Sequence, residues 1–209
     1  MSKIFLTRHG ETEWNTSGLV QGSLDSPLTA AGVEQAKRLA DRLAGEDIEL
    51  VFSSPLGRAV STAAVIAAKL DLPVVECEEF REISFGTWEG QAWQDLQHSD
   101  PKGFISWTKT PYLHRFPRGE SMGDVLARAK AKLLQLYRDH PARNLCVVSH
   151  GVTLKVMVTD LMGFDLKDWE RTPWQPNTAL NIFEINNGIA TGLVLGDNSH
   201  VTNRKTAGE

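Results

Sequence analysis

The stretch IFLTRHGETEWN (Ile4–Asn15) decides how this chain is interpreted, because it begins as a strand and ends as a polar turn. Ile4–Leu6 is a short apolar run, which is typical of a buried strand. Arg8, His9 and Gly10 follow at once, and a glycine lets the backbone turn sharply or approach a ligand closely. Because open α/β sheets bind ligands at the carboxyl ends of their strands, the stretch predicts a ligand site at this strand end.

The two side chains at this strand end suit chemistry on an anion. Imidazole is a good nucleophile that titrates near neutral pH, so His9 can attack an electrophilic centre. The planar guanidinium of Arg8 can hold an anion through two hydrogen bonds. The pair therefore indicates attack by a histidine on an anionic centre, most simply a phosphoryl group.

Length and composition favour one globular domain without nucleic-acid or membrane partners. The 209 residues suffice for one domain with a buried core, so we expect residues 1–209 to form it, with a mobile polar tail at 203–209. The net charge of −4, with no basic tail or stripe, argues against a general nucleic-acid binder. No apolar run approaches the length of a membrane span.

The two cysteines indicate neither a metal site nor a redox site. Cys77 and Cys146 lie far apart and form neither a CxxC pair nor a zinc-binding pattern. Carboxylates and histidines likewise lack the spacing of metal ligands, so we expect no metal and no cofactor. The first residues carry no signal-peptide pattern. Together these features predict a reducing, cytoplasmic location.

Strands alternate with helices along the chain, which predicts an α/β fold. Apolar runs predict strands at 4–6, 50–53, 73–76 and 144–149, and a hairpin of 179–185 with 189–195. Helical periodicity follows Thr29, Arg58, Ser121 and His150, and two short helices are expected within residues 91–117. The expected architecture is a three-layer α/β/α sandwich with a mostly parallel but mixed sheet.

Two further segments point to the same site. His150 repeats the strand–His–Gly arrangement of His9, which favours a pocket shared by the two histidines. Arg58 follows another strand end at the start of a helix, where a cation is unfavourable for the helix dipole. An anion held between Arg58 and the helix N-terminus would compensate for this.

Four segments together resemble the histidine phosphatase superfamily, the phosphoglycerate-mutase-like group. They occur in the family's order: RHGET (Arg8–Thr12), SPLGR (Ser54–Arg58), REISFGTWEG (Arg81–Gly90) and SHG (Ser149–Gly151). The resemblance extends from Ile4 to about His200. It implies hydrolysis of phosphomonoesters through a phosphohistidine, without metal or cofactor.

The resemblance also implies a role for each site residue. His9 would become the phosphohistidine, and Arg8, Arg58 and His150 would bind and stabilise the phosphoryl group. The departing alkoxide needs a proton, and a carboxyl group beside a dianionic phosphate can supply one. The resemblance places this acid at Glu82. The weaker alternatives are Glu11 and Glu89.

Other matches imply contacts with substrate or structural roles. The family's phosphate- or substrate-contacting loop residues correspond to Asn15, Gln21 and Gly22. Residues 119–121 either lie beside the pocket or cap a helix, with capping at least as favoured. His200 is expected to be structural. The tryptophan-rich stretch 88–107 is expected to fill core rather than line a substrate pocket.

Within the family, the sequence favours a phosphatase over a mutase. Cofactor-dependent mutases carry an Arg-His-Tyr-Gly-like segment after the acid, whereas Glu82 is followed by ISFGTW (Ile83–Trp88). A broad-specificity phosphatase of small phosphorylated metabolites is the first interpretation. An α-ribazole-5'-phosphate phosphatase, a phosphoglycerate mutase and a catalytically inactive phospho-ligand-binding regulator are the alternatives. Monomer and homodimer both stay open.

Overall fold

The computed structural model describes residues 2–186 and 188–202, and these contain one six-stranded mixed sheet. The strands are β1 (Ser2–Arg8), β2 (Leu50–Ser53), β3 (Val74–Glu76), β4 (Leu145–Ser149), β5 (Leu180–Asn186) and β6 (Ile189–Asp197). Their order across the sheet is β3-β2-β4-β1-β5-β6. The first four strands in this order are parallel, whereas β5 and β6 run antiparallel to their neighbours. The mostly parallel, mixed sheet expected from the sequence is thereby confirmed.

Helices connect these strands and cover both faces of the sheet. Within the described residues they are α1 (Glu13–Ser17), α2 (Ala30–Leu43), α3 (Gly57–Leu70), α4 (Trp93–Ser99), α5 (Pro101–Lys109), α6 (Met122–Asp139), α7 (Gly151–Leu161) and α8 (Ser199–Thr202). Short 3₁₀ turns lie at Glu78–Phe80, Gly86–Trp88, Pro111–Leu113 and Leu166–Arg171. The two short helices expected between 91 and 117 are α4 and α5.

The three layers follow from the alternation of side chains along each strand. Ile4 and Leu6 of β1 belong to a core formed with α6 and α7, whereas Phe5 belongs to a core formed with α2 and α3. In β4, Cys146 joins the α2 and α3 side while Val147 joins the other. Each buried strand therefore contributes to two cores, which confirms the α/β/α sandwich.

A third core lies beside the sheet and contains half of the Phe, Trp and Tyr residues of the chain. Trp88, 1% exposed, packs there with Phe85 and Phe116 against residues of α6 and α7. Trp88 therefore fills core, as expected from the sequence. Trp93 packs only partly against this core and also lines the cleft described below, so the expectation holds for only part of the stretch 88–107.

The helix starts show where local chemistry sets the boundaries. The side chain of Thr29 accepts a hydrogen bond from the Gly32 amide, and Ser121 forms a capping box with Asp124, as the sequence predicts. Helix α1 was not expected, because its segment reads as a polar loop. Thr12 and Asn15 form a capping box that begins it.

No helix among residues 2–186 and 188–202 is long and apolar enough to cross a membrane. The tail at 203–209, expected to be mobile, lies outside the described residues, as does Asn187 in the hairpin turn.

Candidate active site

The parallel pairing of β1 with β4 brings the two histidines together. Arg8 and Ser149 are partners in the register, so His9 and His150 are the first residues beyond two adjacent strand ends. The His9 amide donates to the Ser149 carbonyl at 3.0 Å, and the ring centroids of the two histidines lie 5.2 Å apart. The shared pocket inferred from the repeated strand–His–Gly pattern therefore has a geometric basis.

The environment of His9 leaves one ring nitrogen free to act as a nucleophile. Its Nδ1 lies 2.7 Å from the Gly10 carbonyl oxygen, which can only accept, so Nδ1 carries the proton. Burial, followed by the charges of Arg8 and Arg58, holds the pKa of His9 well below its usual value of 6.5. The ring is therefore neutral, with an unprotonated Nε2 available to attack.

Two guanidinium groups, of the buried Arg58 and the part-buried Arg8, supply positive charge to the same pocket. Arg8 donates to the Gln175 carbonyl at 2.8 Å and Arg58 to the Gly22 carbonyl at 2.8 Å, while the Nε of each arginine is buried without a partner among the described residues. Burial lowers the pKa of Arg8 to about 10, with Glu82 opposing and Arg58 adding to the effect. Buried charge with unpaired donors favours the binding of an anion.

Arg58 departs in one respect from the arrangement expected at its helix start. The carboxylate of Asp25 lies 2.8 Å from Arg58 Nη1 and also accepts from the Arg58 amide at 3.3 Å. Asp25 thus supplies the negative charge at the start of α3, where the sequence suggested a bound anion. The guanidinium is oriented by this loop, because the Leu24 carbonyl accepts from its Nη1 and the Gly22 carbonyl accepts from its Nη2.

His150 is fully buried beside His9 and is not among the residues that line the cleft. Its Nε2 is 2.7 Å from the Ser54 hydroxyl, and its Nδ1 has no partner among the described residues. Burial and then the charge of Arg58 hold the pKa of His150 well below 6.5. The unpaired Nδ1 is a polar atom that a phosphoryl oxygen could satisfy.

Glu82 lines the same cleft, and its carboxylate lies at the N-terminus of α7. Its carboxylate accepts from the backbone amides of Val152 at 3.2 Å and Thr153 at 3.0 Å. It also accepts from the Ile83 amide at 3.0 Å. A helix N-terminus favours a carboxylate in this way, so Glu82 is held in one orientation next to the cationic pocket.

The remaining sequence candidates divide into those in the cleft and those outside it. Asn15, Gln21 and Gly22 all line the cleft. Glu11 and Glu89 do not line it. Glu11 accepts from the Thr29 hydroxyl. Glu89 accepts from the amides of Ser23 and Phe85 and from the Ser84 hydroxyl. Both therefore have structural partners. Ser121 caps α6, and His200 Nε2 lies 3.1 Å from the Thr178 hydroxyl, in line with a structural role.

Sequence reasoning missed the segment 172–178, which closes one side of the site. Gln175 accepts from Arg8 through its carbonyl, and Asn177 Nδ2 donates to the His9 carbonyl at 3.2 Å and to Asn15 Oδ1 at 3.1 Å. Trp174, 54% exposed, lines the cleft. The segment has no periodicity and follows no strand, so nothing local to it indicates this role.

The resulting cleft has about 450 Å³ of empty space, its solvent-open mouth included, and polar and apolar side chains both line it. The polar side chains are Arg8, His9, Asn15, Gln21, Arg58 and Glu82. The apolar side chains are Leu19, Phe85, Trp93, Val152 and Trp174. Among the described residues, no group of three or more His, Cys, Asp or Glu side chains is arranged to hold a metal ion.

A neutral histidine beside two arginines at the carboxyl edge of an α/β sandwich is an arrangement suited to phosphoryl transfer. The model of the histidine phosphatase superfamily (branch 1) matches residues 4–198. The chain belongs to this superfamily and is a phosphatase, as the sequence motifs implied.

Similar proteins carry several activities within the family. Phosphoserine phosphatase 1 of Hydrogenobacter thermophilus is 38% identical over 170 residues, covering 81% of each chain. Adenosylcobalamin/alpha-ribazole phosphatase of Escherichia coli is 35% identical, covering 77% of this chain and 79% of its own. Probable phosphoglycerate mutase GpmB of Proteus mirabilis is 33% identical, covering 97% and 96%. The solved structure of Bacillus stearothermophilus YhfR superimposes with a TM-score of 0.92 at 33% identity, covering 96% of this chain and all of its own.

Proposed function

We propose that the protein hydrolyses small phosphomonoesters through a phosphohistidine on His9 Nε2, without a metal ion. The observation that carries this proposal is the neutral His9 ring, with its proton on Nδ1, beside Arg8, Arg58 and His150. Cationic side chains supply the charge stabilisation that a metal ion supplies in other phosphatases.

In the first step, His9 Nε2 attacks phosphorus and the bond from phosphorus to the ester oxygen breaks. Arg8, Arg58 and His150 stabilise the charge on the phosphoryl oxygens. Protonated Glu82 gives its proton to the leaving alkoxide, which departs as an alcohol. In the second step, water attacks phosphorus, the Glu82 carboxylate takes the proton from the water, and the bond to His9 breaks. Inorganic phosphate then leaves with the enzyme restored.

The lining of the cleft supports hydrolysis over mutase activity. A mutase has to hold a bisphosphate, which needs cations for two phosphates. The described residues that line the cleft include two cations, Arg8 and Arg58, and the charges of both act on His9. A second phosphate would find no further cation among these lining residues, which is unfavourable.

The apolar side chains that line the cleft favour leaving groups that are uncharged. Trp93 and Trp174 can pack against an aromatic or aliphatic group. This observation supports α-ribazole-5'-phosphate as a second candidate substrate, because its base is aromatic. Phosphoserine and 3-phosphoglycerate carry a carboxylate, for which the described lining residues offer no cation besides Arg8 and Arg58.

A substrate panel measured in EDTA tests the proposal. We expect hydrolysis of p-nitrophenyl phosphate and α-ribazole phosphate at full rate in chelator, with lower kcat/KM for phosphoserine and 3-phosphoglycerate. Vanadate should inhibit, since it mimics five-coordinate phosphorus. Loss of activity in EDTA with recovery on adding Mg²⁺ or Zn²⁺ would contradict the metal-free mechanism. Release of 2-phosphoglycerate in place of phosphate would show a mutase.

We also propose that the protein acts in the cytoplasm. Cys77 and Cys146 are both free and buried, which suits a reducing compartment.

A further inference from the structure

One arginine outside the cleft makes an unusually complete set of hydrogen bonds. Arg128 lies on α6 with its side chain 12% exposed. Its Nη1 donates to the carbonyls of Glu79 at 2.6 Å and Arg81 at 2.8 Å, and its Nη2 donates to the Glu82 carbonyl at 3.1 Å. Its Nε and Nη2 also donate to the two carboxylate oxygens of Glu120, both at 2.9 Å. These contacts use all five N–H donors of the guanidinium.

The backbone segment that Arg128 holds is the segment that carries Glu82. Residues 81–85 form neither a helix nor a strand, so their carbonyls have no regular partners. The adjacent Phe80 carbonyl accepts from the Ser149 hydroxyl at 2.7 Å, and the Arg81 carbonyl also accepts from the Thr153 hydroxyl at 2.9 Å. Every carbonyl from Glu79 to Glu82 is thus held, three of the four by Arg128.

Glu120 extends this arrangement to the other side of Glu82. Its Oε2 accepts from the Ser84 amide at 3.0 Å, and its Oε1 accepts from Arg81 Nη2 at 3.1 Å. Burial raises the pKa of Glu120, but its bonds to Arg128 and Ser84 outweigh this and the net pKa is lowered. Glu120 therefore stays anionic and completes a part-buried ion pair with Arg128.

We propose that Arg128 is a positioning residue for proton transfer by Glu82. By holding the carbonyls of Glu79, Arg81 and Glu82, it sets where the backbone places the Glu82 carboxylate above the N-terminus of α7. A lysine cannot replace it, because an ammonium group has three donors and lacks the planar fork. This inference rests on the proposed role of Glu82 as the general acid.

Arg128→Lys tests the inference through the leaving group. Glycerol 2-phosphate needs a protonated leaving oxygen, whereas p-nitrophenolate leaves readily as an anion. Since a displacement of about 1 Å can cost about 10²-fold, we expect kcat on glycerol 2-phosphate to fall about 10–100-fold, with less than about a threefold change on p-nitrophenyl phosphate. Arg138→Lys, at an exposed position on the same helix, should change neither rate.

A double variant separates positioning from general structural damage. In the Glu82→Gln background, Arg128→Lys should cause no further loss on glycerol 2-phosphate, because there is no acid left to position. Circular dichroism should show the native fold in each variant. Should Arg128→Lys fail to fold, Glu120→Gln provides the same test. Glu120→Gln weakens the ion pair with Arg128. It should lower kcat on glycerol 2-phosphate more than on p-nitrophenyl phosphate, by a smaller factor than Arg128→Lys.

The outcomes distinguish the inference from the proposed function beneath it. If Glu82→Gln slows both substrates equally, the role of Glu82 as general acid fails, and the positioning role of Arg128 fails with it. A second outcome is that Glu82→Gln slows glycerol 2-phosphate selectively while Arg128→Lys slows both substrates alike. In that case, or if the losses of the two variants add in the double variant, only the positioning role of Arg128 is overturned.

Discussion

The protonation of His9 is set by burial, by one backbone carbonyl and by two neighbouring charges. The Gly10 carbonyl holds the proton on Nδ1, while burial, Arg8 and Arg58 keep the pKa low and the ring neutral. A protonated imidazole could not attack phosphorus, so this environment allows His9 to act as the proposed nucleophile.

His9→Ala should therefore lower turnover by several orders of magnitude and leave the fold intact. The covalent adduct should disappear with it. The measurement is the recovery of an acid-labile, base-stable phosphohistidine from wild-type protein mixed with substrate and denatured. His98→Ala, at an exposed histidine on α4, should keep both activity and adduct. An adduct that persists on another residue in His9→Ala would refute the assignment.

Glu82→Gln should affect alkyl phosphates far more than p-nitrophenyl phosphate. General acid catalysis contributes typically about 10²–10⁴-fold, and we expect a loss of that order in kcat on glycerol 2-phosphate. The decline in rate with rising pH should also flatten for this substrate. Glu78→Gln, at an exposed position nearby, is the matched control. Equal losses on both substrates would assign Glu82 a binding or structural role.

At the scale of elements, the active-site turn depends on close packing against the start of α2. A Cβ on Gly10 would overlap the Gly32 carbonyl, and a Cβ on Gly32 would overlap the Glu11 carbonyl. The Gly10 amide also donates to the Thr62 hydroxyl of α3 at 3.0 Å. Two helices thus hold the turn that follows β1, and only glycine allows this approach.

Gly32→Ala should consequently displace the turn and lower both kcat and stability. Overpacking of this kind typically costs about 1–3 kcal/mol in the free energy of unfolding. Gly45→Ala is the control, since a Cβ there meets open space and its φ is not positive. It should leave activity unchanged and stability equal or slightly higher. Urea unfolding and steady-state kinetics measure both effects. If Gly32→Ala changed neither kcat nor the free energy of unfolding, the turn would be able to move aside without loss, and the expectation would be wrong.

At the scale of the whole molecule, buried neutral histidines couple folding to pH. Burial is the largest cause of the lowered pKa of His9, His114, His150 and His200. The unfolded chain binds protons at these groups below about pH 6.5, while the folded protein binds them only at a lower pH. Their contribution to stability is therefore complete above pH 6.5 and declines as the pH falls below it.

We expect the free energy of unfolding to decrease on acidification from pH 7 to pH 5. The slope should approach about 1.4 kcal/mol per pH unit for each histidine that stays neutral in the fold. Urea titrations at several pH values measure it. His150→Asn should reduce the slope, whereas the exposed His98→Asn should leave it unchanged. A stability that is constant between pH 7 and pH 5 would contradict the lowered pKa values.

The layered fold and several residues of the cleft could be predicted from the sequence alone. Apolar runs and helical periodicity are local signals that predict the strands and helices directly. In a parallel sheet the carboxyl ends of the strands lie at one edge, so the repeated strand–His–Gly pattern predicts His9 and His150 at the same edge, and the pairing of β1 with β4 makes them neighbours. The roles assigned to Arg8, Arg58 and Glu82 came from the family resemblance and stay predictions until tested.

The contacts that orient those residues depend on the tertiary structure. Asn177 contacts the His9 carbonyl across 168 positions of sequence, and Arg128 holds the carbonyl of Glu82 across 46. Asp25 takes the place at the start of α3 where an external anion was expected. Hydrogen bonds between distant segments leave no local periodicity, because they depend on where packing brings the backbone. The nucleophile could therefore be found from the sequence, whereas its supporting contacts could not.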